Sequence, residues 1–144
     1  MKVIRDCLAI CLIATLAAQG LNIGSTGDKL QESLLEAKRF YDLALDQLGS
    51  LSTDQILVGA HTAIELHQQW VIDYLTHEGR LNASEPDYDD KIQRLNRDFN
   101  YLESKFEGDL KFLDDVALKQ KAREKLLKLK ADVDSTMRLY GFSS

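Results

Sequence analysis

Proline, cysteine and positive charge are all in short supply in this chain, and each shortage removes a class of protein. The one proline among 144 residues is Pro86, and there are only 8 glycines. An all-β chain of this length needs many more turn-formers of both kinds, so long uninterrupted segments are expected, and helices supply them. Cys7 and Cys11 are the only cysteines. The body beyond them has no material for a disulfide framework or a cysteine zinc site, and its core must hold by packing. Acidic residues outnumber basic ones, for a formal charge of −5. That balance excludes a general nucleic-acid binder, which needs lysine and arginine to displace counterions from phosphates. Signatures of common chemistries are missing as well. Gly27 is followed by Asp28 rather than lysine, so the glycines between Gly20 and Gly27 do not make a phosphate-cradling loop. A Gly-x-Ser-x-Gly nucleophile turn is also absent.

What the chain does have begins with an apolar N-terminal segment. Lys2 and Arg5 precede a run from Cys7 to Ala18 that is apolar apart from Thr15, and Gln19-Gly20 follow. Positive residues, a short apolar stretch and small residues are the three parts of a secretory signal peptide. The expectation is a signal peptide over residues 1–20, cut after Ala17 or Gly20, and therefore a secreted protein. The alternative is an apolar N-terminal helix retained by a cytoplasmic protein. A membrane span would need about 20 apolar residues, and this run is shorter. Leu21 to Gly27 read as a linker, and residues 28–144 as a helical bundle domain.

The body is 44% apolar when counted with the whole chain, enough to bury a core. Its apolar residues recur with helical spacing in four segments. Leu30, Leu34, Ala37, Tyr41, Ala44 and Leu48 step by four and three in alternation. Such steps mark a helix packed nearly parallel or antiparallel to a neighbour. Asp28 and Gln31 offer a capping box at its start, and Gly49 a stop. Ser52 to Gln55 form a second capping box. Behind it Ile56, Ala60, Ala63, His67, Trp70 and Tyr74 repeat the steps, with Leu57, Ile64 and Val71 as an adjoining row and Gly79 as the end. Two apolar rows predict a central helix. The stretch from Arg80 to Pro86 is polar, and Pro86 predicts the start of a third helix. There Tyr88, Ile92, Leu95, Phe99, Leu102 and Phe106 carry the spacing, and Asp87, Asp89 and Asp90 suit the positive end of the helix dipole. Asp114 and Asp115 begin the last segment, which holds Ala122, Leu126, Leu129, Val133 and Leu139-Tyr140 before Gly141. The fold class is all-α: a four-helix up-down bundle preceded by the apolar segment.

Candidate sites are few. His61 and Glu65 stand one turn apart, as do Asp73 and His77, and each pair offers two metal ligands. The pairs point to different sides of one helix, and the other segments have no Glu-x-x-His, so no metal site is expected. Asp87-Tyr88-Asp89 opens like a calcium loop, but Ile92 and Asp98 stand where that loop needs glycine and glutamate. No catalytic or cofactor-binding set emerges. His67 lies in the apolar seam and reads as a hydrogen-bonded core histidine able to respond to pH. Lys119, Lys121, Arg123, Lys125, Lys128 and Lys130 crowd the last segment. They form either a solvated helix face or a contact for an anionic partner or membrane surface. Asn82-Ala83-Ser84 is a glycosylation sequon in a predicted loop.

From Leu34 to Gly79 the chain resembles the paired helices of HEPN domains, through Ala37-Lys38-Arg39-Phe40-Tyr41 and Ala44, then Ala60, Ala63-Ile64-Glu65-Leu66 and Gly79. Many HEPN domains are ribonucleases that use an arginine followed after four to six residues by histidine. No arginine here precedes His61, His67 or His77 at that distance, so the resemblance implies a non-catalytic interaction module inside the cell. The expected function is thus binding without catalysis or cofactor. An exported bundle that meets a protein partner or a second copy leads. A HEPN-like module and a carrier of apolar ligands or lipid are the alternatives.

Overall fold

The computed structural model describes residues 29–142. The expected leader, linker and Asp28 cap therefore lie outside the described residues. Four helices follow one another: α1 Lys29–Gln47, α2 Thr53–His77, α3 Tyr88–Lys111 and α4 Asp115–Tyr140. Among the described residues there is no strand, and no helix is long and apolar enough to cross a membrane.

The helix ends show why the chain breaks where it does. α1 closes through a 3-10 turn over Leu48–Ser50. Gly49 is part of that turn and has no left-handed conformation, so it does not stop the helix as expected; Leu48, buried beneath the turn, fixes the bend instead. Ser52 caps α2, with the Ser52 hydroxyl accepting from Gln55 N–H and the Gln55 amide accepting from Ser52 N–H. α2 ends on Gly79 at φ 73°, with Arg80 N–H reaching back to the Leu75 carbonyl at 2.9 Å and Gly79 N–H to Thr76 at 3.1 Å. Only glycine takes that left-handed backbone without a penalty. Gly141 at φ 69° ends α4 in the same way, with Phe142 N–H on the Met137 carbonyl. α4 begins at Asp114, whose carboxylate accepts from Ala117 N–H at 2.8 Å.

The start of α3 differs from expectation. Pro86 sits in the preceding turn, and the helix begins two residues later at Tyr88. Asp87 does not cap it with its side chain and pairs instead with Lys91 at 3.4 Å. The polar stretch after Gly79 also contains an anchor that its composition hid, because Leu81 is buried.

The cross-helix bonds give the register. Ser33 meets Asp73, and Tyr41 meets the Ala63 carbonyl at 3.0 Å, so α1 and α2 run antiparallel. Gln68 meets Asn96 while His61 meets Glu103, and α2 and α3 also oppose each other. Asp109 meets Lys125 between α3 and α4. Lys38 meets Asp134 and Asp42 meets Lys130, closing α4 back on α1. α2 packs against all three other helices, as its two apolar rows predict, and α4 does so too. α1 and α3 are the distant diagonal of the bundle.

The core holds Leu34, Ala37, Tyr41, Ala60, Ala63 and Ile64 between α1 and α2, with Leu118, Ala122, Leu126 and Val133 from α4. Burying a leucine such as Leu34 contributes about 1.5–3 kcal/mol. Alanines at 37, 60 and 63 let the α1 and α2 backbones come close enough for the Tyr41 hydroxyl to reach across. In α4 the expected Leu139 is exposed, and Met137 takes the buried place. A step of four from Val133 keeps Met137 on the core side, whereas a step of six swings Leu139 away from it.

Candidate functional site

The seam between α2 and α3 carries most of the unusual chemistry. His61 and Gln68 are seven residues apart on α2, as are Asn96 and Glu103 on α3, so each pair falls on one helix face. On α3 this polar row, continued by Glu107, runs beside the row of Phe99 and Phe106, which are buried. The result is a seam half apolar and half hydrogen-bonded. The Gln68 amide donates to Asn96 Oδ1 at 2.6 Å.

His61 lies between two carboxylates. Its Nδ1 meets Glu103 Oε1, and its Nε2 meets Glu107 Oε2 at 3.0 Å. A carboxylate only accepts, so both ring nitrogens must donate, and the ring that fits this geometry is the imidazolium. The hydrogen bond to Glu103 holds the proton on His61 above the ordinary histidine range, partial burial opposes this, and the charges of Glu103 and Glu107 add to the upward shift. The site is 41% exposed at the histidine side chain, so solvent screens the interaction. Because the carboxylates occupy opposite nitrogens, one cation bound at either nitrogen would meet only one of them. Among the described residues no group of three or more histidine, cysteine, aspartate or glutamate side chains is arranged to hold a metal ion.

His67 differs in every respect. Its ring stands edge-on to Trp70 at 5.2 Å and to Phe99 at 5.5 Å. Its Nδ1 is buried and has no hydrogen-bond partner among the described residues. The expected hydrogen bond is therefore replaced by aromatic packing. Burial pulls the ring toward its neutral form, against a weaker opposite pull from Asp132 of α4. Trp70 and Tyr74 extend the aromatic contacts to Tyr140, against which His77 also packs edge-on at 5.2 Å.

The same-helix metal pairs considered from sequence are thus taken apart. Glu65 is exposed. Asp73 accepts from the buried Ser33 hydroxyl and from Gln69. The partners of His61 lie 42 residues or more away in the chain. The only sequence signal for them was two glutamates one turn apart beside a phenylalanine row.

Most of the basic residues of α4 are engaged. Lys119 reaches Asp115 at 3.4 Å and the Gly49 carbonyl at 2.9 Å. Lys121 meets Glu124 at 4.0 Å. Lys125 meets Asp109 at 2.8 Å and lies over the Phe106 ring. Lys130 meets Asp42 on α1. Arg123 and Lys128 are exposed, and five residues of separation turns them toward different sides of the helix. Asn82 is exposed in the α2–α3 loop, where its Oδ1 accepts from Ser84 N–H and Oγ.

At the α3–α4 corner, apolar side chains face outward. Phe112 is 86% exposed, Val116 79% and Leu113 38%. The Lys111 ammonium sits 5.6 Å from the Phe112 ring centre. Asp114 cannot move freely there because it caps α4. Comparison of the chain with protein-family models, curated proteins and solved structures finds no match.

Proposed function

We propose that this protein is a non-catalytic, exported bundle that acts by binding a protein partner through the α3–α4 corner. The observation that carries this reading is the exposure of Phe112, Leu113 and Val116 together at one corner, where Phe112 and Tyr101 are the only exposed aromatics among the described residues. Apolar side chains grouped at one place on a surface mark contact sites, whereas scattered ones do not. An aromatic anchor at the centre and charged residues around it is the usual anatomy of such a contact. Here Lys111, Asp114 and Asp115 provide the rim. The reading without catalysis is supported by the use made of the reactive side chains. Both nitrogens of His61 are committed to carboxylates, and the Ser33 hydroxyl donates to Asp73. The three-part N-terminal segment motivates export.

Two measurements test the halves separately. The intact mass of protein from its native source should show loss of at least Met1 to Ala17. A chain that retains those residues sinks the export half and returns the HEPN-like intracellular reading. A photoreactive phenylalanine analogue at position 112 should give one saturable protein adduct, either hetero or a second copy, lost on Val116→Asp. Labelling of lipid alone would overturn protein binding in favour of the lipid-carrier reading.

A further inference from the structure

We propose that α3 is a releasable helix, held to α2 by the protonated His61 between Glu103 and Glu107, and let go when that proton leaves. The proposal rests first on how lightly α3 is held. Its buried side chains are Phe99, Phe106 and Leu110, whereas α1 and α4 each bury twice as many side chains. It packs on α2 and α4 and stands diagonally opposite α1. The chain on either side of it is exposed, from Asn82 to Asp87 before it and from Lys111 to Val116 after it. Elements with few buried contacts and exposed flanks open most readily.

The second support is where the polar ties lie. Among the described residues, those from α3 to the other helices and their ends are Gln68 with Asn96, His61 with Glu103 and Glu107, Lys125 with Asp109, and Lys91 with the Arg80 carbonyl at the end of α2. Only the histidine tie changes charge near neutral pH. When His61 is an imidazolium, it donates to both carboxylates. Once neutral, one of its nitrogens turns a lone pair toward a carboxylate oxygen, and the attraction on that side becomes repulsion. The charged groups acting on His61 are Glu103 and Glu107, both from α3; Glu65 lies one turn on along α2 itself. The shift of His61 is upward, so the tie is complete below about pH 6.5, the ordinary histidine value, and weakens as pH rises through the raised one. His67 faces the same seam with Asp132 of α4 as its charged neighbour and the opposite shift, so acid does not tighten α3 without limit.

Hydrogen exchange read by mass spectrometry on the full chain tests this, with rates corrected for the intrinsic effect of pH. Amides of α3 should lose protection between pH 6 and pH 9, by up to about tenfold per pH unit across the His61 transition. Those of α1 and α4 should stay unchanged. His61→Gln should leave α3 poorly protected at both pH values. Glu103→Gln with Glu107→Gln keeps the histidine but removes its anions, and should leave α3 as poorly protected as His61→Gln does. Protection of α3 that ignores pH would overturn the proposal. So would an equal loss in all four helices, or a His61→Gln protein with the unaltered pH response.

Discussion

Tyr41→Phe offers the cleanest measure of how α1 is joined to α2. Tyr41 is completely buried, and its hydroxyl donates to the Ala63 carbonyl at 3.0 Å. The substitution keeps the ring, its edge contact with Phe40 and nearly all of its volume. One hydrogen bond is lost. Ala63 lies inside α2, so its carbonyl keeps the helical bond from the N–H four residues on and is not left bare. The cost should therefore fall near the ordinary net value of a hydrogen bond, about 1 kcal/mol, rather than near that of an unsatisfied buried group. For a chain of this size that is a fall in Tm of about 3–4 °C. Urea unfolding followed by circular dichroism should show a lower midpoint and an unchanged slope, since the exposed surface on unfolding is the same. Tyr41→Ala removes the ring as well and should cost about 3–5 kcal/mol. Burial, with Asp132 adding to it, holds the Tyr41 phenol well above the ordinary tyrosine range. A raised value means that its share of stability is intact below about pH 10 and is lost above it, as the unfolded chain ionises first. A Phe variant as stable as the parent, with the alkaline transition in the same place, would refute the idea that this hydroxyl is buried and bonded.

Ser52→Ala removes the side-chain half of the α2 capping box and should cost about 1 kcal/mol in urea unfolding, with Gln55→Ala costing less. Gly79→Ala meets no neighbouring atom, so its cost is the left-handed backbone alone, about 1–2 kcal/mol by the same measurement. Burial of most of the His67 ring holds its pKa below the ordinary histidine value, so stability should fall as pH drops below about 6.5, where the unfolded chain gains a proton before the folded one does. His67→Leu should flatten that acid limb when unfolding is followed by the fluorescence of Trp70, whose ring is 5.2 Å away. An unchanged acid limb would place the titrating group elsewhere.

Periodicity alone determined most of the architecture. Steps of three and four place Leu34, Ala37, Tyr41, Ala60, Ala63, Leu126 and Val133 on inner faces, because an α-helix returns to one side every 3.6 residues whatever it packs against. Ser52, Gly79, Asp114 and Gly141 mark ends for equally local reasons, as caps and left-handed turns involve only neighbours in the chain. The same rules went astray where the outcome was not local. Gly49 fell inside a 3-10 turn because Leu48 was drawn into the core. Leu81 is buried although its polar neighbours in the chain gave no hint of it. Leu139 was turned outward and Met137 inward because they differ by two positions of phase.

The site belongs to the tertiary structure. Glu65 is the carboxylate nearest His61 along the sequence, yet Glu103 and Glu107 are the ones that hold it, and only the antiparallel pairing of α2 with α3 brings them there. The basic residues of α4 look like one patch when counted along the chain, but Asp42 of α1 and Asp109 of α3 take two of them across to other helices, while Asp115 and Glu124 pair two more within α4. Helical spacing is written in the order of the residues, because coiling is a property of the backbone. Which charges meet across a seam depends on the rotation and register of two packed helices, and that is settled by the fit of the whole core.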